Sequence, residues 1–371
     1  MHFGLDGKAR LPLRSLDKTA RDMISELLRH DAVGETRCIA LDEQGRPVAS
    51  FFERWADAGK RMRWGEVCEG VIRKCSPGDG GAFIALETGQ EGFFPGRDMG
   101  ALVEGARGYW RIAAEARSDK LAKLAKASES NITGTDTLAR WKASLPDAGA
   151  LSFDTSPEAA QRIDDAFDDA LSPNTGLAGG GRLQITPTPA LVAVDVDTAG
   201  RQDKGRASAR ARIVNIAAAE ALARQAAMRN LGGALVLDCI GPIARRDAPE
   251  IKAAFLQTFS ALSEHRAECL APSPFGLMEI VLERRWQPLS EAYFGKKNEL
   301  LPLATLLWAL RDTERAAREN RADRLALNLP VSAFAAFKLH QEKYEKALKD
   351  RYGSRIEVVE TQRDKPDVVS L

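Results

Sequence analysis

Cysteine is scarce and unpatterned in this 371-residue chain: Cys38, Cys68, Cys75, Cys239 and Cys269 form an odd set with no C-x-x-C pair. That argues against a disulfide framework and against zinc, and leaves reduced thiols in a cytoplasmic protein as the expectation. No apolar run approaches the roughly 20 residues that would cross a bilayer, so no membrane partner is expected. The opening MHFGLDGKARLPLRSLDKTARD is mixed in charge and lacks the apolar core of a signal peptide. An excess of one charge is missing too, with 53 Lys+Arg against 52 Asp+Glu and a net charge of +1. A polyanion binder of this composition has to concentrate its positive charge locally, because no global field steers the ligand. Internal repeats and long low-complexity segments are absent. The apolar (44%) and charged (28%) fractions are those of a globular chain with room for two or three domains.

Periodicity organises the chain. An amphipathic helix is expected near residues 17–30, inside an amino-terminal extension of residues 1–35. TRCIALDEQGRPVASFFERW, from Thr36, alternates on both sides of Asp42-Glu43-Gln44-Gly45, a hairpin signature. GEVCEGVIRKC, GAFIALETGQEGFFPGRD and GARGYWRIAAEARSDK are short strands broken by glycine turns, which suggests a small β-barrel. Residues 125–150 read as a connector with one short helix. SPEAAQRIDDAFDDAL reads as a helix with Ser156 as N-cap and Pro157 at the first turn. LQITPTPALVAVDVD is a two-stranded stretch. The alanine-rich IVNIAAAEALARQAAMRN is a helix from about Ile213 that stops at Gly232-Gly233. ALVLDCIG is a buried strand, APEIKAAFLQTFSALSEH a helix and FGLMEIVLER a strand. The remaining α–β–α–β alternation, with one long helix from Val331, makes a small α+β module.

The chemistry lies at two strand exits. In LVAVDVD, Asp195 and Asp197 stand two residues apart on one face, roughly 7 Å along the strand. ALVLD ends in Asp238, and one helix connects the two strands. If the strands are neighbours, about 5 Å apart, Asp195 and Asp238 can share a ligand. Two carboxylates at ~4 Å repel by about 4 kcal/mol at an effective dielectric of 20, so a proton or a cation must sit between them. A hard divalent ion fits; Mg²⁺ uses one or two carboxylates and keeps sites for water and phosphate. Ordinary turn or cap aspartates at strand ends fit the bare pattern equally well. AGRQDKGRASARAR then carries Arg201, Lys204, Arg206, Arg210 and Arg212 against Asp203. It is a phosphate-holding loop or a solvated one. In the barrel segment Phe83 and Phe93, with Phe94 and Trp110 nearby, either stack bases or fill the core; alternation does not separate the two.

LVAVDVDTAG, NIAAAEALARQAAMRNLGGALVLDCI and FGLMEIVLERR resemble, in order and spacing, the catalytic core of the ribonuclease E/G family. GVIRKCSPGDGGAFIALETGQEGFFP is similar to that family's S1 RNA-binding domain, EARSDKLAKL to its exit, and ALNLPVSAFAAFKLHQEKYEKALKDRYGSRIEVVE to its small C-terminal domain. The resemblance implies an α+β multidomain fold. An S1/OB-type barrel (66–124) is inserted near an RNase H-like unit (36–65 and, with the connector, 125–180). A DNase I-like catalytic domain (181–290) and a small α+β domain (291–371) follow. It further implies Asp195 and Asp238 as Mg²⁺ ligands, Asp197 beside them in catalysis, and Phe83, Phe93 and Lys120 as RNA contacts. Asp197 stands where the family usually has asparagine, and Pro274 where it usually has arginine. No zinc-link C-P-x-C follows Arg285 and the connector is too short for a 5′-end sensor, so any homo-oligomer is expected not to be held by zinc. The expected function is Mg²⁺-dependent endoribonuclease action on single-stranded RNA. The alternatives are an RNA-binding protein of the same fold with impaired catalysis and, with less support, a DNA-directed nuclease.

Overall fold

The structure, a computed structural model, describes residues 24–96, 102–117, 120–131, 136–201 and 205–371. Strands β1 (Ile24–Ala32), β2 (Glu35–Asp42) and β3 (Pro47–Arg54) form an antiparallel meander. The hairpin expected around Asp42–Gly45 is the β2–β3 turn. The helix expected near residues 17–30 is not found where the chain is described, because residues 24–30 lie in β1, and the rest lies outside the described residues. Ile24, Leu27 and Leu28 have helical spacing, but the reason is different: both faces of β1 are covered. Leu27 packs into the core with Phe51 and Trp141, and Leu28 into the core with Phe52 and Phe167. The sheet therefore begins inside the segment read as an extension.

Five strands close a barrel in the order β4-β5-β6-β8-β7. They are β4 (Val67–Ser76), β5 (Gly81–Leu86), β6 (Glu91–Pro95), β7 (Arg107–Ala114) and β8 (Ala122–Ala127). Ile72, Ile84, Trp110, Ile112 and Leu124 fill it, and Phe94 packs on Trp110 at 5.2 Å between ring centroids. The barrel is pinned to the rest of the molecule at its exit. Glu115, buried just past β7, accepts from Arg63 Nε (2.9 Å) and from the backbone N–H groups of Trp64 (3.1 Å) and Gln287 (3.2 Å). Its own N–H donates to Arg285 O at 2.8 Å.

The connector contains α1 (Thr137–Ala143), capped by the Asp136 carboxylate. Next come β9 (Phe153–Asp154), which pairs parallel to β1, and α2 (Pro157–Leu171), whose N-cap is Ser156 as expected. Then follow β10 (Asn174–Gly176), β11 (Arg182–Pro187), β12 (Val192–Asp197), α3 (Ala207–Met228), β13 (Gly233–Asp238), α4 (Ala248–Leu262), β14 (Ala267–Cys269) and β15 (Leu277–Leu282). Their strands make a six-stranded sheet in the order β10-β11-β12-β13-β15-β14. Helix α3 starts earlier than the periodicity indicates, since ASARAR continues its helix-favouring composition toward the amino end. It stops at Asn230, which takes the left-handed conformation (φ 54°) ahead of the two glycines.

Alternation divides this sheet into two faces. Val194, Val196, Leu235, Leu237, Met278 and Ile280 pack under α3 and α4 against Val214, Leu222, Ile251, Phe255 and Phe259. The residues between them, including Ala193, Asp195, Ala234, Asp238, Leu277, Glu279 and Val281, are exposed.

The carboxyl-terminal part holds α5 (Leu289–Tyr293), α6 (Pro302–Glu319), β16 (Leu325–Pro330), α7 (Val331–Lys338), α8 (Gln341–Tyr352), β17 (Ile356–Thr361) and β18 (Asp367–Ser370). Its sheet runs β17-β16-β18. The single long helix expected from Val331 is two helices, broken at Leu339-His340, and β18 extends the expected module. No described helix is long and apolar enough to cross a membrane.

Candidate active site

Strands β12 and β13 are parallel neighbours joined through α3. Their register pairs Val192 with Leu235, Ala193 with Val236 and Val194 with Leu237. One step further on stand Asp195 and Asp238, both exposed and both on the helix-free face. Cross-strand pairs extend the row outward, Asp195 opposite Gln184 and Asp238 opposite Leu277. Neighbouring strands lie about 4.8 Å apart, so two carboxylates on one face share a single position between them. Neither makes a hydrogen bond or ion pair among the described residues. Glu279, diagonal to Asp238 on the same face, adds a third acidic group. The sequence reading did not select it; the alternation of LMEIVL was the available signal.

Asp197, two residues on, is engaged. Arg182, its cross-strand partner, reaches it at 2.9 Å, and its Oδ1 accepts the Ala199 N–H at 2.8 Å. That backbone hydrogen bond, with Arg182, holds its carboxyl below the usual aspartate value. The extra charge at this position thus has a local counter-charge.

The end of β13 is held by a residue that sequence reading passed over. Asn215, fully buried in α3, donates to Ile240 O and accepts from Ile240 N, each at 2.9 Å. A lone asparagine amid IVNIAAAEAL was the visible signal. Asn215→Leu leaves both backbone groups unpaired and is expected to lower stability by about 1–3 kcal/mol in urea unfolding; an unchanged midpoint would refute this role. Cys239, beside Asp238, points into the core, where burial first and the Asp238 charge second push its thiol up to about 12. It is not a ligand in waiting.

The cationic segment divides. Arg201 donates to Ala178 O and Gly180 O, both at 2.8 Å, and Arg212 forms a two-pronged pair with Glu250. The structure therefore brings these two into loop and helix contacts. Arg206 and Arg210 are exposed at the start of α3. Lys204 lies outside the described residues.

On the barrel, Phe83 and Phe93 are half-buried cross-strand partners with ring centroids 5.3 Å apart. They do not fill the barrel core, as Phe94 and Trp110 do. They line a cleft of about 850 Å³ between the barrel and the six-stranded sheet, together with Lys120, Lys123, Ala234 and Val281. Ala234 and Val281 lie on the same exposed sheet face as the carboxylate pair, four residues from Asp238 and Leu277 respectively. The barrel aromatics, Lys120 and the two aspartates thus border one continuous surface.

Residues 119–285 match the ribonuclease E/G family. The chain is similar to ribonuclease E of Nostoc sp., 31% identical over 132 residues, covering 36% of this chain and 19% of that protein. It is similar to Escherichia coli ribonuclease E, 28% identical over 155 residues, covering 41% and 14%. The chloroplastic ribonuclease E/G-like protein of Arabidopsis thaliana is 31% identical over 144 residues, covering 38% and 14%. The matched stretch spans less than a fifth of the length of each of these three relatives. It contains both aspartates; strands β4 to β7 of the barrel precede it.

Proposed function

We propose that this chain, whose residues 119–285 match the ribonuclease E/G family, is a magnesium-dependent endoribonuclease acting on single-stranded RNA. One observation carries the reading: the parallel register that brings Asp195 and Asp238 together on the open face of the sheet. The barrel is read as an S1-type domain, the six-stranded sheet as a DNase I-like catalytic domain, and the sheet β3-β2-β1-β9 with α1 and α2 as RNase H-like.

The donor set suits magnesium. Two exposed carboxylates with no cationic partner among the described residues suit a hard cation between them and leave room for water and phosphate. When bound, the ion would polarise the phosphodiester and activate the attacking water. The protein's own groups do the rest. Phe83 and Phe93 offer ring faces to unpaired bases, Lys120 supplies charge for the backbone, and Arg206 and Arg210 extend that charge at the start of α3. Duplex RNA hides its base faces, so the preference is for single strands. The second reading, RNA binding without turnover, is favoured by Asp197, whose carboxylate is already committed to Arg182. Incubating the protein with fluorescent single-stranded RNA separates the two: internal cleavage with Mg²⁺, stopped by EDTA, supports the nuclease. Binding without cleavage supports the second reading.

The same reading sets an expectation for RNA ends. Two of the three basic groups of residues 125–150 are committed within the fold and the third, Lys126, is exposed. Arg140 donates to Trp64 O and pairs with Glu66 (3.1 Å), Lys142 donates to Leu151 O (2.5 Å), and Lys126 sits over the Phe94 ring (5.9 Å). One exposed lysine is too few donors to enclose a terminal phosphate dianion. Initial cleavage rates on 5′-monophosphate, 5′-hydroxyl and circular versions of one RNA are expected to agree within about threefold. A tenfold advantage for the monophosphate, about 1.4 kcal/mol, would contradict this.

A further inference from the structure

Phe275 is 89% exposed, more than any other large apolar side chain among the described residues. It is nonetheless held in place. Ser273 N donates to Leu277 O and Gly276 N to Ser273 O, both at 2.9 Å, while Phe275 N donates to the Ser273 hydroxyl at 3.3 Å. The turn is also tied to the other strand, because Cys239 N donates to Gly276 O at 3.0 Å. Gly276 has φ +89°, and a Cβ placed on it would lie 3.9 Å from Asp238 Oδ1 and 3.0 Å from Cys239 O. A hydrogen-bonded turn whose Gly276 lies against Asp238 therefore carries a bare aromatic ring on the adjoining residue.

The order of residues along the exposed face gives this ring a place. Ala234 and Val281 border the barrel cleft, Val236 and Glu279 follow, then Asp238 and Leu277, and Phe275 lies beyond. A strand of RNA held by Phe83 and Phe93 and crossing the carboxylate pair would continue toward Phe275. We propose that Phe275 stacks on a base on the far side of the scissile phosphate from the barrel, so that the RNA is gripped on both sides of the cut. This rests on the nuclease reading above. The physical grounds are that ring faces bind any base by stacking, and that a ring carried on a hydrogen-bonded turn has only two side-chain torsions to order on binding. Nothing in the fold depends on the side chain, since at this exposure it packs against almost nothing.

The test uses the full chain in EDTA, so that binding is read without cleavage, and a short single-stranded RNA with 2-aminopurine placed at successive positions. Wild type is expected to quench the probe at one position through Phe275. Phe275→Ala is expected to abolish that quenching, leave the other positions unchanged, and weaken binding about tenfold. Phe275→Trp should restore both, with the same unfolding midpoint in all three proteins. Equal affinity and equal quenching in Phe275→Ala would overturn the proposal while leaving the nuclease reading intact. A loss that Trp does not rescue, or a shifted midpoint, would overturn it in favour of a structural role. Loss of self-association with unchanged RNA binding would assign the ring to a protein contact instead. Absence of RNA binding by wild type would remove the nuclease reading and this proposal with it.

Discussion

Under the nuclease reading, Asp238→Asn is expected to lower the rate of RNA cleavage by at least about a thousandfold, roughly 4 kcal/mol in the transition state, while the affinity for the same RNA changes by no more than a few fold. The substitution keeps the shape of the side chain and removes one of the two negative charges that make the site attractive to a divalent ion. Binding should survive because Phe83, Phe93 and Lys120 border a cleft that the change does not touch. Folding should survive as well, since Asp238 is exposed and makes no hydrogen bond or ion pair among the described residues. Asp195→Asn is expected to behave alike, and the double variant to be little worse than either, because one shared ion is lost in each case. Asp197→Asn should differ, because its first effect is to release Arg182. The measurement is kcat and Kd on one fluorescent RNA at saturating magnesium. Undiminished cutting by Asp238→Asn would remove the metal mechanism. A parallel collapse of binding would mean that the carboxylates serve the fold of the cleft instead.

The strand-exit aspartates were legible because their signal is local. An apolar run ending in a carboxylate, twice, with one helix between, is compatible with a parallel pair, and the observed register supplies the adjacency that the sequence left conditional. The barrel was legible for a similar reason, since short strands and glycine turns leave few alternatives. What periodicity could not show was how many faces of an element are covered. Leu27 and Leu28 look helical only if one face is buried, and in β1 both are. The burial of Phe83 and of Phe94 depends in the same way on which barrel face meets the sheet, which is set in part by Glu115 and Arg285, distant in sequence from one another. Asn215 is a further case: its value comes from Ile240, 25 residues away across the crossover. The charge-rich loop misled in part, because composition counts arginines without showing that Arg201 and Arg212 are already bonded.

The largest loss of stability is expected from Glu35→Ala. Glu35 opens β2 with a side chain wholly shut off from solvent, hydrogen-bonded to Arg311 of α6, with Arg37 Nε at 3.5 Å and Arg54 Nε at 3.8 Å. Arg37 and Arg311 also reach Asp164 of α2, and Arg54 donates to Ala292 O of α5 at 2.6 Å. One carboxylate therefore joins the amino-terminal sheet to α6, and its arginine partners carry the link on to α2 and α5. Its removal leaves three arginines buried with too little negative charge, at a cost of about 3–5 kcal/mol. Burial by itself would raise the Glu35 carboxyl; Arg311, Arg37 and Arg54 together outweigh it and hold the value below that of an ordinary glutamate. A depressed folded-state value means that the contribution is fully present above the unfolded value of about 4.5 and is lost as pH falls through the folded one. Asp164 shifts in the same direction, with Arg37 and Arg311 again outweighing burial. Urea unfolding of wild type and Glu35→Gln, from about pH 7 down to pH 3, reads this directly. Wild type should lose stability more steeply in acid, by up to about 1.4 kcal/mol per pH unit for the one extra proton, so that the two curves draw closer toward the acid end. Curves that stay parallel throughout would show that Glu35 does not titrate with folding, and that its buried cluster holds the units together by shape alone.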